Sequence, residues 1–216
     1  MERTITVKGT GNVSTKPDVI VISFSLEAID YDYEQTMRFA TKEVEELSKA
    51  IEATGIDRKH LKTTNFTINT SYESYQDERK EYRRRFSGYI CQQDLRLEFD
   101  FDTELLGQVL TAISRADTDP TLDVSFSVKD QEAVREELLI HASQNARQKA
   151  ETLTKAAGVT LGQLVKIDYN WAELQMYSST NYAQASRHMM LSESSPEFNP
   201  EDIKSSDTVT FVWEIV

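Results

Sequence analysis

His141 follows Glu137 by four residues, a spacing that sets both side chains on one helical face and suits two metal ligands. A zinc site needs a third or fourth donor, and no HxxxH or CxxC pattern supplies one. The pair therefore reads as helix-surface polarity. His188 stands beside Met189 and Met190, whose thioethers suit a soft ion such as copper(I), but the simpler reading is a hydrophobic patch. Asp117, Asp119 and Asp123 offer the first ligand types of a calcium loop, but Leu122 replaces the glycine at the sixth position and Val128 the glutamate at the twelfth. Gly9-Thr-Gly11 has the opening glycines of a dinucleotide fingerprint. Ser14 holds its sixth position and Pro17 follows, so no helix opens where a pyrophosphate needs amide donors, and the segment reads as a turn. Cys91, between Ile90 and Gln92 in a strand-like stretch, shows no base or helix N-terminus nearby in sequence to generate a thiolate. No GxSxG, SxxK or GxxxxGK[ST] pattern occurs. The residues assign no catalytic group, no metal ligand and no cofactor.

One stretch suggests recognition rather than reaction. Arg79, Lys80, Arg83, Arg84 and Arg85 outnumber Asp77, Glu78 and Glu81 by two, in a chain whose 24 basic and 36 acidic side chains leave a formal charge of −12. Tyr72, Tyr75, Tyr82, Phe86 and Tyr89 are interleaved with them. This mixture can stack on single-stranded bases and contact phosphates. It can equally dock on an acidic face of a neighbouring subunit, because Arg and Tyr are favoured at interfaces. It also reads as a solvated hairpin tip, and the residues leave all three open. The candidate contact set is Arg79, Lys80, Tyr82, Arg83, Arg84 and Arg85, with Met189 and Met190. The overall charge argues against wholesale binding to nucleic acid or anionic membranes.

The elements that position these residues follow from length and pattern. At 216 residues, 39% hydrophobic and 28% charged, the chain has the composition of an ordinary soluble globular protein. A single cysteine excludes an intrachain disulfide. Val19 to Ile22, the longest purely aliphatic run, is too short for a bilayer. Met-Glu-Arg-Thr at the start lacks the layout of a secretory signal, so a cytoplasmic protein is expected, with export the alternative for a trimmed precursor. The sequons at Asn12, Asn65 and Asn69 then carry little weight.

Thr4 to Lys8 reads as a short strand, and Asp18 to Ala28 alternates with Ile20, Ile22, Phe24, Leu26 and Ala28 on one face. From Tyr33 the period changes: Met37, Ala40, Val44, Leu47 and Ile51 form a helical stripe, with Asp30 or Asp32 as cap and Gly55 as terminator. Two strands follow, one with Phe66, Ile68 and Tyr72 alternating with Asn65, Thr67 and Asn69, and one with Leu95, Leu97, Phe99 and Phe101 alternating with Arg96, Glu98 and Asp100. The charged stretch from Gln76 to Arg85 lies between them as a hairpin tip. Asp102 caps a short helix bearing Leu105, Leu106, Val109, Leu110 and Ile113. Leu122, Val124, Phe126 and Val128 alternate in a strand, after which Asp130 caps a long helix ending at Gly158. Its inward stripe is small: Val134, Leu138, Ala142, Ala146, Ala150, Leu153 and Ala157. Strands are expected over Leu164 to Ala172 and Thr208 to Val216, with Val209, Phe211, Trp213 and Ile215 on one face of the last. Residues 173–205, with seven Ser, Pro196, Pro200 and three of the five Met, show no sustained period and read as a long irregular loop.

Ile22-Ser-Phe-Ser-Leu26 matches Val124-Ser-Phe-Ser-Val128, and each precedes a long helix closed by glycine and then two strands. The chain thus reads as strand–helix–strand–strand twice, over about 18–101 and 121–216, with the short helix between. The expected class is α+β: one domain over residues 1–216, mostly antiparallel sheet, with two long helices and one short one packed over one side of each sheet.

Ile5-Thr-Val-Lys-Gly-Thr-Gly11, Val13-Ser, Lys16-Pro-Asp and Ile22-Ser-Phe form an opening that resembles SIMPL-domain proteins. The resemblance continues through Gly55-Ile-Asp, Leu61-Lys-Thr-Thr-Asn-Phe and Gly88-Tyr, resumes over Ala142 to Gly158 and at Gly162, and ends at Val209 to Ile215. The family's Pro-Gly before the last strand is here Pro200-Glu201. The family has no established catalytic residues, so none carries over. The resemblance implies an α+β fold, a homo-oligomer (some relatives are thought to build rings), and an association with stress response or the cell envelope. A non-enzymatic, self-associating protein is expected, with nucleic-acid or anionic-ligand binding through residues 79–85 as the alternative.

Overall fold

Every second side chain of β2 (Val19–Asp30) enters a core: Ile20, Ile22, Phe24 and Leu26 are buried, while Ser23 and Glu27 face solvent. The same alternation buries Leu95 and Leu97 of β4 (Tyr82–Asp100) and Leu122, Val124 and Phe126 of β5 (Thr121–Ser127). Two helices cover that face. From α1 (Tyr33–Glu52) come Leu47 and Ile51, and from α2 (Thr103–Arg115) come Leu106, Val109 and Ile113. The computed structural model describes residues 3–77, 80–170, 174–184 and 198–216.

Each helix begins where an aspartate satisfies an amide that the first turn leaves open. Asp32 accepts from Gln35 N at 3.0 Å, Asp102 from Leu105 N at 2.9 Å and, in α3 (Gln131–Ala157), Asp130 from Ala133 N at 2.9 Å. Such a cap contributes about 1 kcal/mol. Gly158 closes α3 in the left-handed region at φ 73°.

The described residues form two compact units, one drawn from 19–126 and 180–199, the other from 1–18, 127–179 and 200–216. The larger sheet has the order β3-β4-β2-β5-β7, with β3 at Leu61–Gln76 and β7 at Tyr177–Gln184. A three-stranded sheet has the order β1-β8-β6, formed by Thr4–Thr15, Ile203–Ile215 and Leu161–Asp168. The ladders β2–β4, β3–β4, β1–β8 and β6–β8 are antiparallel. The class is α+β. The matching Ser-Phe-Ser motifs lie on neighbouring strands β2 and β5, and Phe24 and Phe126 share one core. Of the second strand–helix–strand–strand segment, α3, β6 and β8 lie in the other unit, while most of β5 remains with β2.

Several boundaries differ from expectation. Gly9 and Gly11 are not a turn, because β1 runs straight through them. They are glycine because α3 lies on the strand: a Cβ on Gly9 would sit 2.0 Å from the Ala142 carbonyl oxygen, and one on Gly11 2.0 Å from that of Leu138. The helix answers with Ala142, Ala146 and Ala150, all fully buried. Its stripe steps by four throughout and ends on buried Thr154, so Leu153 and Ala157 face solvent. Every fourth residue forms a ridge inclined about 26° to the helix axis, which carries the stripe away from Leu153. β8 begins at Ile203 rather than Thr208, since its pairing with β1 continues to Thr15. β6 begins three residues before the expected start at Leu164. Within 173–205, β7 forms as a sheet edge despite lacking periodicity, and residues 185–197 lie outside the described residues. Finally, β3 does not bury Phe66 or Tyr72, because it is an edge strand and α1 packs over β2 and β4.

Candidate interaction surface

β2 pairs with β4 only as far as Asp30 opposite Tyr89, whereas β3 stays with β4 out to Gln76 opposite Tyr82. From Gly88 outward the sheet is therefore reduced to two strands, a hairpin arm with an exposed surface on both faces. Its tip is organised by Asp77, whose carboxylate accepts from Glu81 N at 3.0 Å and whose carbonyl accepts from Lys80 N at 2.9 Å. Lys80 takes a left-handed φ of 62°, and its carbonyl accepts from Gln76 Nε2 at 3.1 Å. Arg79 lies outside the described residues.

The arm's arginines are largely answered within the arm. Arg83 Nε meets Asp77 Oδ2 at 2.6 Å and its Nη2 meets Glu81 at 3.6 Å, while Arg85 pairs with Glu73 across the ladder. Arg84 and Arg85 also lie over the Tyr72 and Tyr75 rings, at 5.6 and 5.5 Å. Exposed pairs of this kind contribute about 0–1 kcal/mol each, so they orient side chains more than they stabilise the fold. With Glu73 included, residues 72–86 hold five basic and four acidic side chains. The surface is zwitterionic rather than basic. Tyr82 caps it at 82% exposure, and Tyr72, Tyr75 and Phe66 are also exposed.

The arm's base is aromatic. Phe86 makes edge-on contacts with Tyr31 (5.1 Å), Tyr89 (5.2 Å) and Tyr72 (6.0 Å), and Tyr33 packs on Tyr89 at 5.5 Å. A bulge between Ser71 and Tyr72 leaves Ser87 as the extra residue, with its hydroxyl 2.9 Å from that of Ser71. The adjacent Gly88 has φ 134°, and a Cβ there would fall 2.4 Å from the Asp30 carbonyl oxygen. The bulge re-aims the ladder as the third strand ends.

The other sequence candidates are placed apart from this surface. Cys91 is buried at 1% exposure among Ala28, Ala40, Met37 and Ile68, and burial pushes its thiol above the ordinary value. His141 Nδ1 lies 3.2 Å from the Asn12 carbonyl, and its Nε2 lies 3.9 Å from Glu137, so it ties α3 to β1. Asp117 pairs with Lys42 at 2.8 Å. Nearby Glu43 is raised above the ordinary carboxylate range by burial, with Asp119 and Asp117 adding to it. His188, Met189 and Met190 lie outside the described residues. Among the described residues no three His, Cys, Asp or Glu side chains gather at metal-binding range, and no helix is long and apolar enough to cross a membrane.

Comparison with known proteins decides the family. A family model described as SIMPL, protein of unknown function (DUF541), matches residues 5–213, from the start of β1 almost to the end of β8. The chain belongs to the SIMPL family. An uncharacterized protein of Edwardsiella ictaluri, YggE, is 22% identical over 211 residues, covering 98% of this chain and 86% of the relative.

Two polar features of this SIMPL chain lie on the face of the larger sheet opposite α1 and α2 and were not singled out in the sequence. Asp94 accepts from Ser25 Oγ at 2.8 Å, Asn65 Nδ2 at 3.0 Å and Gln92 Nε2 at 3.4 Å. Those bonds, Asn65 first and Ser25 next, hold its carboxyl below the ordinary value. Its partners come from three strands, so no sequence spacing announces them. The second feature is a cleft of about 360 Å³ lined by Lys59, His60, Lys62, Arg96 and Glu98. The run Arg58-Lys-His-Leu-Lys62 carried that signal.

Proposed function

We propose that this SIMPL chain is a non-enzymatic, self-associating protein whose β3–β4 arm docks onto a second copy. The observation that carries the reading is the arm itself: a two-stranded projection with an unpaired β3 edge and exposed Tyr72, Tyr75 and Tyr82. An open edge favours strand addition, and tyrosine supplies interface area at low entropic cost. The contact set Lys80, Tyr82, Arg83, Arg84 and Arg85 is zwitterionic together with Glu73, Asp77 and Glu81, which suits a like surface on another copy. Placing such a scaffold in stress response or at the cell envelope rests on family resemblance alone. The sealed, pKa-raised Cys91 supports a role without thiol chemistry. Internal ion pairing of Arg83 and Arg85 weighs against phosphate-backbone binding as the arm's main task.

Sedimentation velocity tests the reading. The wild-type chain is expected to form an oligomer, and a variant joining Tyr72 to Phe86 through an Asn-Gly turn is expected to stay folded and sediment as a smaller species. A wild-type chain that remains strictly monomeric at high concentration would refute the proposal. Single-stranded DNA binding abolished by Arg84→Glu would replace it with the nucleic-acid reading.

A further inference from the structure

Lys62 on β3 stands directly opposite Arg96 on β4. Like charges in that relation are unfavourable, and a sheet normally avoids them. Both side chains leave the face opposite buried Leu95 and Leu97, and both line the 360 Å³ cleft with Lys59 and His60. The short 3₁₀ turn Arg58–His60 supplies the latter two and is capped by Asp57, which accepts from Lys59 N at 2.8 Å. Carboxylates answer some of this charge. Lys59 Nζ meets Asp57 at 3.0 Å and Arg96 Nη2 meets Glu98 at 2.5 Å, while Lys62 makes no ion pair among the described residues. Ser23 of β2 extends the same row, opposite Arg96 on its other side. In a chain of charge −12, the cleft is a local concentration of cations.

We infer that the cleft binds a compact phosphate dianion, either the free ion or a small monoester. A dianion between Lys62 and Arg96 converts their repulsion into two attractions. Glu98 holds Arg96 in place, and the guanidinium fork matches phosphate oxygens. Lys59 and Lys62 act as point charges. A volume of 360 Å³ lies at the small end of ligand sites and suits a monoester with a short organic group. This site is independent of the arm.

The full-length protein is titrated with inorganic phosphate and, separately, glycerol 3-phosphate, against sodium chloride of matched ionic strength. NMR follows His60, Lys62 and Arg96. Saturable shifts confined to these residues are expected, and Lys62→Glu is expected to weaken binding about tenfold or more, whereas Lys204→Glu leaves it unchanged. Lys62→Glu puts an acid opposite Arg96, a favourable pair, so lost binding would not mean a lost fold. Binding of both probes supports the dianion and includes the ester. Binding of inorganic phosphate alone supports it and restricts the site to the free ion. Chloride reproducing the shifts, neither probe binding at tens of millimolar, or equal weakening by Lys62→Glu and Lys204→Glu would overturn the inference.

Discussion

Gly9→Ala is the sharpest test of how β1 and α3 are joined. In an ordinary strand, replacing glycine by alanine stabilises by about 0.5–1 kcal/mol, because the unfolded chain loses freedom and the strand gains a side chain. Here the new methyl would lie 2.0 Å from the Ala142 carbonyl oxygen and 2.7 Å from the Ala146 Cβ, against an ordinary contact distance of at least 3.4 Å. Neither obstacle is the end of a flexible side chain, so the whole helix must withdraw. Gaps of about 0.5–1 Å already forfeit a quarter to a half of the dispersion attraction between facing atoms, and the Ala142, Ala146 and Ala150 stripe withdraws together. The expected cost is about 3 kcal/mol or more, opposite in sign to the generic effect. Urea unfolding, followed by Trp213 fluorescence in a Trp171→Phe background, should show the midpoint falling by about 1 M or more at unchanged slope. Adding Ala146→Gly should not rescue it, because the closest obstacle is backbone. A Gly9→Ala protein with an equal or higher midpoint would refute the close-packing argument.

Two further outcomes follow from single side chains. Cys91, sealed at 1% exposure with a raised pKa, should react with a disulfide reagent only after unfolding; labelling of the native protein at the rate of a free thiol would contradict its placement. Asp94 has a folded-state pKa below its unfolded value near 3.8, so its stabilising contribution is present above that value and is lost as pH falls through the lower folded one. A carboxyl-carbon NMR titration should place Asp94 below the ordinary aspartate value, with Asn65→Ala moving it upward. An unchanged midpoint in Asn65→Ala would show that the Asn65 bond is not the main cause.

Alternation and caps made the larger unit legible. Ile20, Ile22, Phe24 and Leu26 could bury only as one face of a strand, Asp102 marks the start of α2, and the start of α1 was narrowed to Asp30 or Asp32, of which the structure uses Asp32. The arm was visible as a charged, aromatic stretch between two apolar strands. Its ion pairs were not, since Arg85 with Glu73 depends on cross-strand register, which a bulge at Ser87 resets. Gly9 and Gly11 misled for a related reason: local sequence cannot distinguish a glycine needed for a turn from one needed because another backbone lies 2.0 Å from where its Cβ would be.

By itself the sequence determined the α+β class, the order of the helices, the family and the lone cysteine's isolation from other thiols, because each depends on residue type and spacing along one segment. Only the tertiary structure decided what faces what. It set Lys62 against Arg96, gathered Ser25, Asn65 and Gln92 around Asp94, sealed Cys91 and bared the tyrosines of β3. Those relations are fixed by strand order and register, to which residues far apart in the chain contribute jointly. No local pattern encodes them.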